Sequence, residues 1–485
     1  MIIKRLIGLR YISNYTIFNK SSGHGKSGIA VIRVSGSKTK EALRALTGTD
    51  NYKPRYATLK QIKDPITKEL IDNGICIYFE GQKSFTGEDS CEFQVHGGPS
   101  IVSALLRALG KIEGMRLSYA GEFAKRAFLN GKINLLEAEA LADLIHAETD
   151  MQRKQALIQA DGHLSKLYQK WRTKFIRNIA HVEAYVDFSE DDNIESDILI
   201  SVKKELQELE EEIHSHLSDG RKGERLRDGV RLAIVGSPNV GKSSLMNLLV
   251  RRDISIVTDI EGTTRDVIES TFDLNGYPVI ISDTAGLRES SDIVESEGIR
   301  RAKNCASRAD LIILLIDGSK MEKDLCGKSI NFEQYRTTYL NQLGLTDEII
   351  NFKRLMTVVN KIDLMSEKGR REIEESSSDV LGISCSQNIK VSSLVDEITN
   401  HLVELCGSPS TECPYLSQER HRFYLQECLK HLTAFLIEFD PKKEQDLSIL
   451  VQNVRNCVRS IGKITGEVRT DEILDVIFKD FCIGK

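Results

Sequence analysis

The sequence predicts a multidomain chain: an α/β domain with a mostly parallel sheet, an α+β domain before it, and a helical domain around it. Three observations carry that expectation. Gly236 to Ser244 (GSPNVGKSS) fits the phosphate loop G-x-x-x-x-G-K-[ST], with an apolar strand (VRLAIV) before it and a helical run after it. Short β-branched runs alternate with helical runs from Gly28 to about Ile112. Apolar stripes at helical spacing prevail from Asn134 to Leu217 and again from Leu425. A chain of 485 residues has room for about three domains, each with its own core.

In chain order, GIAVIRVSG, GICIYFE and CEFQVHGG read as strands, and KEALRALTG and SIVSALLRALGKI as helices. Asn134 and Glu137 have the spacing of a capping box. LLEAEALADLI follows, then Leu157, Leu164, Trp171, Phe175 and Val182 at helical intervals. A further helix from Val202 to Leu217 aligns Val202, Leu206, Leu209, Ile213 and Leu217 on one face, and GRKGER (Gly220 to Arg225) reads as a linker. Beyond the nucleotide domain, Leu425, Cys428, Leu429, Leu432 and Leu436 form one stripe. Asp440-Pro441 suits an N-cap and first helical position, before a stripe of Leu447, Leu450, Val451, Val454, Val458 and Ile461. Thr470 suits the cap of a last helix through Ile473, Ile477 and Phe481. The two helical blocks could be separate bundles; one helical domain with the nucleotide domain inserted is the simpler packing.

Composition narrows the class. A net charge of −5 and a pI near 6.1 argue against a broadly cationic nucleic-acid coat, while leaving room for a local basic patch. The ten cysteines include no C-x-x-C pair, so neither a zinc site nor a disulfide framework is expected, and reduced thiols fit an intracellular compartment. No apolar run approaches the ~20 residues of a membrane span. MIIKRLIGLRYIS is basic, amphipathic and free of acids, as organellar targeting segments are. A basic tail of a cytosolic protein is the plainer alternative.

The phosphate loop brings chemistry with it. Backbone N–H groups of Asn239, Val240, Gly241 and the following turn can wrap phosphates at a helix N-terminus. Lys242 reaches the β/γ-phosphates, and the Ser243 hydroxyl, followed by Ser244, can ligate Mg²⁺. GTTRD (Gly262 to Asp266) offers a second hydroxyl for Mg²⁺. DTAG (Asp283, Thr284, Ala285, Gly286) ends a second apolar strand and points Asp283 at the metal. NKID places Asn360, Lys361 and Asp363 after a third strand. Asp363 can accept from guanine N1–H and the 2-amino group, and adenine offers neither donor. ISCS, with Ser384 and Cys385, is a weaker match to the last guanine-contacting segment. The ordered set implies a chain that binds and hydrolyses GTP. GHGKSG (Gly23 to Gly28) is a decoy, because Lys20 stands where the loop's first glycine is required.

GIAVIRVSG, GEDSCEFQVHGGP, GEFAKRAFLNGKINLLEAEALADLI, the GTP motifs and the terminal CIGK together resemble one family, MnmE (also called TrmE), the tRNA-modifying GTPases of bacteria and mitochondria. The resemblance runs from about Tyr15 to Lys485. It implies a presequence over 1–13, a tetrahydrofolate-binding N-terminal domain over 14–130, a helical domain over 131–225 and 405–485, and an inserted Ras-like GTPase domain over 226–404. It implies a homodimer in the mitochondrial matrix that acts on tRNA with an FAD-dependent partner of the MnmG type. The reaction implied adds a substituent at carbon 5 of the wobble uridine, of taurinomethyl or carboxymethylaminomethyl type. Its one-carbon unit comes from a 5,10-methylene- or 5-formyl-tetrahydrofolate.

Carried over residue by residue, the resemblance makes Asn239 a K⁺ ligand, helped by backbone groups at Thr258, Ile260 and Thr263. Ser243 and Thr264 hold Mg²⁺, and Glu295 orients the attacking water. Arg33, Glu92 and Lys132 match folate-contacting positions, with Lys485 nearby and His96 shaping the pocket. Cys482 is the family's signature thiol. The chain departs from the family pattern at Lys26, usually Arg, at Gly23-His24, usually Pro-Pro, and at Cys385, usually Ala. A GTP-driven assembly factor without one-carbon chemistry, for example for mitochondrial ribosomes, is the rival reading, and the folate-type residues weigh against it. If Asn239 seats a monovalent cation, GTP hydrolysis is expected to rise in K⁺ over Na⁺ at equal ionic strength. Equal rates in the two salts would remove that role.

Overall fold

The computed structural model describes residues 15–23, 25–188, 197–252, 269–282, 295–325, 331–346, 350, 353–374, 380–411, 414–441, 443, 445–468, 474, 477–478, 481 and 484. It forms two compact units. One comprises Met1–Ala142, Gln159–Glu205 and Ala434–Lys485, the other Asp143–Ile158 and Leu206–Thr433.

The first unit is built on a six-stranded sheet with the order β3-β4-β5-β2-β1-β6. Its strands are β1 (Thr16–Lys20), β2 (Ser27–Ser35), β3 (Thr58–Lys63), β4 (Leu70–Phe79), β5 (Ser90–Gly97) and β6 (Met115–Leu117). All neighbours are antiparallel except β1 and β6. Alternation sorts the side chains of β2: Ile32 and Val34 enter a core with Phe18, Phe93, Leu105 and Leu109, which places Arg33 between them on the opposite face. Helices Thr39–Thr47 and Pro99–Gly110 cover the apolar face. The runs read as strands and helices from sequence are found; the short strands β1, β3 and β6 are additions that periodicity did not single out. The decoy Lys26-Ser27 leads into β2, not into a helix.

The motif GEFAKRAFLNGK folds as helix Glu122–Leu129, held by an ionic network. Arg126, 4% exposed, donates through Nη1 to Glu88 and through Nη2 to Glu122 and to the Tyr15 carbonyl, at 3.0–3.2 Å. Arg116 grips Glu122 with both terminal nitrogens at 2.6 and 2.7 Å. Glu88 in turn accepts from Ser35, whose hydroxyl meets Thr86.

The expected capping box opens helix Leu135–His146: Glu137 N–H donates to Asn134 Oδ1, and Asn134 N–H to Glu137 Oε2, each at 2.9 Å. In helix His163–Phe188, Leu164, Trp171, Phe175 and Val182 are buried as the stripe requires. Leu157 does not join them. It lies on a separate helix, Asp150–Ala160, beyond a break at Gly162, and is 39% exposed.

Helix Leu447–Thr465 is capped by Asp446, whose Oδ1 accepts from the N–H groups of Ser448 and Ile449. The expectation that Asp440-Pro441 starts this helix is therefore corrected. The Asp440 N–H is taken by the Gln445 side chain, which turns the chain before the helix begins. The C-terminal segment returns to the sheet: Phe478 and Phe481 pack with Ala124, Phe128 and Leu135. Gly484, at φ +96°, accepts at its carbonyl from the Ser21 hydroxyl at 2.9 Å, and a Cβ there would lie 1.9 Å from the Lys20 carbonyl.

The second unit contains a six-stranded sheet with the order β12-β11-β10-β7-β9-β8. These are β7 (Val230–Val235), β8 (Glu269–Leu274), β9 (Tyr277–Ser282), β10 (Leu311–Asp317), β11 (Arg354–Asn360) and β12 (Val380–Gly382). All run parallel except β8. β10 is buried along its whole length, as a parallel strand covered on both faces must be. The segment expected as a linker is ordered: helix Lys222–Asp228 begins within GRKGER. Arg422 ties it down through Glu224 and Asp219 at 2.6 Å each. Arg225 binds Asp310 and Arg227 binds Asp143, so ion pairs pin the segment.

Arg126→Met is expected to destabilise the first unit by about 3 kcal/mol, since the largely buried Glu88 loses its arginine and Glu122 loses one of its two. Chemical denaturation with a lowered midpoint checks this. Burial pushes the Glu122 carboxyl up, but Arg116, the Tyr119 N–H and Arg126 more than offset it, and the net direction is down. The stability from this network is therefore complete above the unfolded carboxyl range near ~4.3 and is lost as pH falls through the lower folded value.

Candidate nucleotide site and polar face of the N-terminal sheet

β7 ends at Val235, the chain turns through Gly236 to Gly241, and helix Lys242–Arg252 leaves the turn. The turn requires left-handed backbone at Asn239 (φ +61°) and Gly241 (φ +105°). A Cβ on Gly241 would lie 2.3 Å from Asn360 Nδ2, so glycine is needed for space as well as conformation. Lys242 Nζ donates to the carbonyls of Gly236 and Ser237 at 2.9 Å each, within the curve of the loop, and burial lowers its pKa.

Asn360, 2% exposed at the tip of β11, joins two motifs. Its Nδ2 donates to the Val240 carbonyl at 2.8 Å and its Oδ1 accepts from the Cys385 N–H at 3.1 Å. Lys361 Nζ donates to the Asn239 carbonyl at 2.8 Å and to Asp317 Oδ2 at 2.7 Å. The structure thus brings Asn239, Val240, Gly241 and Lys242 together with Asn360, Lys361 and Cys385. Ser384 is fully buried, and its hydroxyl braces the turn by accepting from the Gln387 N–H. Burial, followed by the Asp363 charge, pushes the Cys385 thiol up to about 11, so it stays a neutral thiol.

Asp363 Oδ1 is buried without a hydrogen-bond partner among the described residues. An orphaned carboxylate oxygen is costly unless a donor arrives, and a ligand edge with two adjacent N–H groups fits it. Ser243 and Ser244 sit exposed in the first turn of the helix, and Asn239 is exposed on the loop. A hydroxyl at that turn and an amide on that loop are suitable oxygen donors for Mg²⁺ and K⁺. Glu295 opens helix Glu295–Arg308. Thr258, Ile260, Thr263, Thr264, Asp283, Thr284, Ala285 and Gly286 lie outside the described residues, as do Cys482 and Lys485.

Two residues of the site carry no motif. Asp317 ends β10, and its Oδ1 accepts from Ser319 while Oδ2 holds Lys361. Burial raises its pKa, but those bonds more than offset it and the net direction is down, so it serves as a fixed anion. A lone Asp after an apolar strand was the only signal. Tyr339, on helix Phe332–Gln342 and 8% exposed, accepts from the Ser237 N–H at 2.7 Å. Its hydroxyl also lies 3.0 Å from Ser237 Oγ and 3.2 Å from the Leu315 carbonyl. It clamps the start of the loop against β10. Nothing local in the sequence announces this.

On the N-terminal sheet, Arg33 and Glu92 are register partners across β2 and β5. Arg33 donates to Glu92 Oε1 from Nε at 3.1 Å and from Nη2 at 2.9 Å. Its guanidinium carbon lies 5.6 Å from the Phe85 ring centre and 5.9 Å from that of Phe123. Lys132 Nζ donates to the Gln82 carbonyl at 2.7 Å, on the loop that also carries Phe85. His96 is exposed and paired with Asp72 through Nδ1 at 2.9 Å.

A phosphate loop on a parallel sheet, clasped by the Asn360 amide and flanked by an orphaned carboxylate, defines a P-loop nucleotide-binding protein. Residues 16–132 match the family model described as GTP-binding protein TrmE N-terminus, and residues 135–482, a range that spans this fold, match the MnmE helical domain. The chain belongs to the MnmE (TrmE) family. It is 43% identical over 100% of its length to the Danio rerio protein named 5-taurinomethyluridine-[tRNA] synthase subunit GTPB3, mitochondrial, covering 96% of that protein. It is 44% identical to the Homo sapiens protein of the same name, over 98% of this chain and 94% of that one. The tRNA modification GTPase MnmE of Rickettsia rickettsii is 46% identical over 97% of this chain and 100% of its own.

Tyr339→Phe removes one hydroxyl and leaves the ring. It is expected to weaken GTP binding about tenfold, or about 1.4 kcal/mol, with kcat within about twofold. Titration with a fluorescent guanine nucleotide and steady-state kinetics check this.

Proposed function

We propose that this chain is a GTP-hydrolysing component of tRNA wobble-uridine modification, working with a flavoprotein of the MnmG type on mitochondrial tRNAs. The observation that carries the reading is the Arg33–Glu92 pair on the sheet face away from the core helices, in the same unit that seats the C-terminal segment through Gly484. A chain used only to switch an assembly factor has no need of that arrangement. The names of relatives matching nearly the whole chain support it.

In this reading Asp363 Oδ1 takes the guanine N–H groups, Asn360 and Cys385 fix the segment around the base, and the loop from Asn239 to Ser244 wraps the phosphates. Lys242 leaves its loop carbonyls to meet the β/γ-phosphates. Ser243 and Thr264 would hold Mg²⁺. Asn239, with backbone groups of Thr258, Ile260 and Thr263, would hold K⁺. These cations supply positive charge where negative charge develops in phosphoryl transfer. Asp283, Thr284, Ala285 and Gly286 complete the phosphate end, and Glu295 orients the water.

Arg33, Glu92 and Lys132, with Lys485, would hold a tetrahydrofolate derivative. Its carboxylates suit the cations, and the N–H groups of its ring suit Glu92. The exposed ring of Phe85 suits a flat ring beside Arg33. That group supplies the one-carbon unit, and Cys482 would take part in the modification. The domain limits 14–130, 131–225, 226–404 and 405–485, the presequence over 1–13, the homodimer and the matrix location belong to the proposal.

The test is mass spectrometry of nucleosides from mitochondrial tRNA after loss of this chain. The expected result is disappearance of the 5-substituent on the wobble uridine, restored by the unaltered chain but not by Cys482→Ser. An unchanged nucleoside profile would leave a GTPase of another process.

A further inference from the structure

We infer that the exposed face of the paired helices His163–Phe188 and Leu447–Thr465 is the surface on which this chain holds tRNA; the inference rests on the tRNA reading above. The first helix carries five cations between His163 and Val182 and no acid, and the second carries three cations and no acid. This is the local basic patch that a chain of net charge −5 left open.

The charges are placed, not scattered. Lys166, Lys170 and Arg177 are exposed on the side of their helix opposite the buried Leu164, Trp171, Phe175 and Val182. At a rise of about 1.5 Å per residue, Lys166 and Arg177 stand about 16 Å apart, enough to follow several successive phosphates. The two helices lie antiparallel and adjacent, fixed by Arg172 Nη2 to Glu467 at 2.6 Å near one end and by Arg455 to Glu183 near the other. Arg459, one turn from Arg455, adds an exposed cation on the second helix. Lys166, Arg177 and Arg459 reach no carboxylate among the described residues.

A merely solvated helix face mixes both signs. Helix Asp197–Leu217 has two lysines and five glutamates, so excess cation is not a general habit of this fold. Beyond Thr465 the chain closes through Gly466 against Phe128 and Leu135, members of the cluster that packs Phe478 and Phe481. RNA lying along the stripe therefore leads toward the C-terminal segment, where the uridine chemistry is proposed. Phosphate recognition by such a stripe gives affinity and orientation, and sequence is read elsewhere.

The experiment compares the full chain with Lys166→Ala/Arg177→Ala/Arg459→Ala for binding of unfractionated tRNA across a salt series. Lys166→Ala/Arg177→Ala serves as a milder second variant, and Lys203→Ala/Lys204→Ala as the control on the acidic helix. The triple variant is expected to bind at least about tenfold more weakly at moderate salt, with the slope of log affinity against log salt reduced by about 2. GTP hydrolysis without RNA and the control variant should be unchanged. Equal affinity and slope in both stripe variants would overturn the inference while leaving the tRNA reading intact. An unaltered chain that binds no tRNA would count against that reading itself.

Discussion

The carboxamide of Asn360 is the contact on which the nucleotide site depends. Its nitrogen holds the Val240 carbonyl and its oxygen holds the Cys385 N–H, so one buried side chain fixes the phosphate end relative to the base end. The bond to the Val240 carbonyl is buried, and loss of the amide would strand that carbonyl. The space for it is created by Gly241, where any Cβ would collide with its nitrogen. Lys361, the next residue, repeats the device one step out by joining Asn239 to Asp317. Rigid placement of the loop follows from these two neighbours more than from the loop's own sequence.

The N-terminal sheet uses a comparable economy of parts. Pairing β2 with β5 in antiparallel register sets Arg33 opposite Glu92, and strand alternation sends both away from the apolar core. The same face is bounded by loop residues from Gln82 to Glu88, which Lys132, Asn130 and Arg126 hold from the following helix and turn. The two motifs GEDSCEFQVHGGP and GEFAKRAFLNGK are thus halves of one polar framework. Its ionic members are satisfied in pairs, which is what permits so many charges near a sheet.

Electrostatics also divides the helices by task. The helices that carry Lys166 and Arg459 expose cations opposite a buried apolar stripe, while Asp197–Leu217 exposes acids. Around helix Lys222–Asp228, by contrast, arginines are consumed in pairs with Asp310, Asp143, Glu224 and Asp219. Composition averages these regions to a mildly acidic whole, and only their placement separates a surface that can meet phosphates from one that holds a junction together.

Features decided by neighbours in the chain were legible in the sequence. The phosphate loop, the Asn134–Glu137 capping box and the stripe of Leu164, Trp171, Phe175 and Val182 each arise within a few turns, where spacing alone dictates geometry. The misplacements have the same root. Asp440-Pro441 has the chemistry of a helix start, but the Gln445 side chain takes the Asp440 N–H and Asp446 supplies the cap. Leu157 has the right interval but sits beyond the break at Gly162. The sequence by itself determined which chemistry the loop and the NKID segment can perform, because those residue types admit few other uses. Tertiary structure decided that Arg33 faces Glu92 and that Tyr339 clamps Ser237. It decided too that the chain end returns to Ser21, because those contacts join residues 59, 102 and 463 positions apart. No local preference encodes such pairings; they are fixed by strand register and by the packing of helices on a shared core.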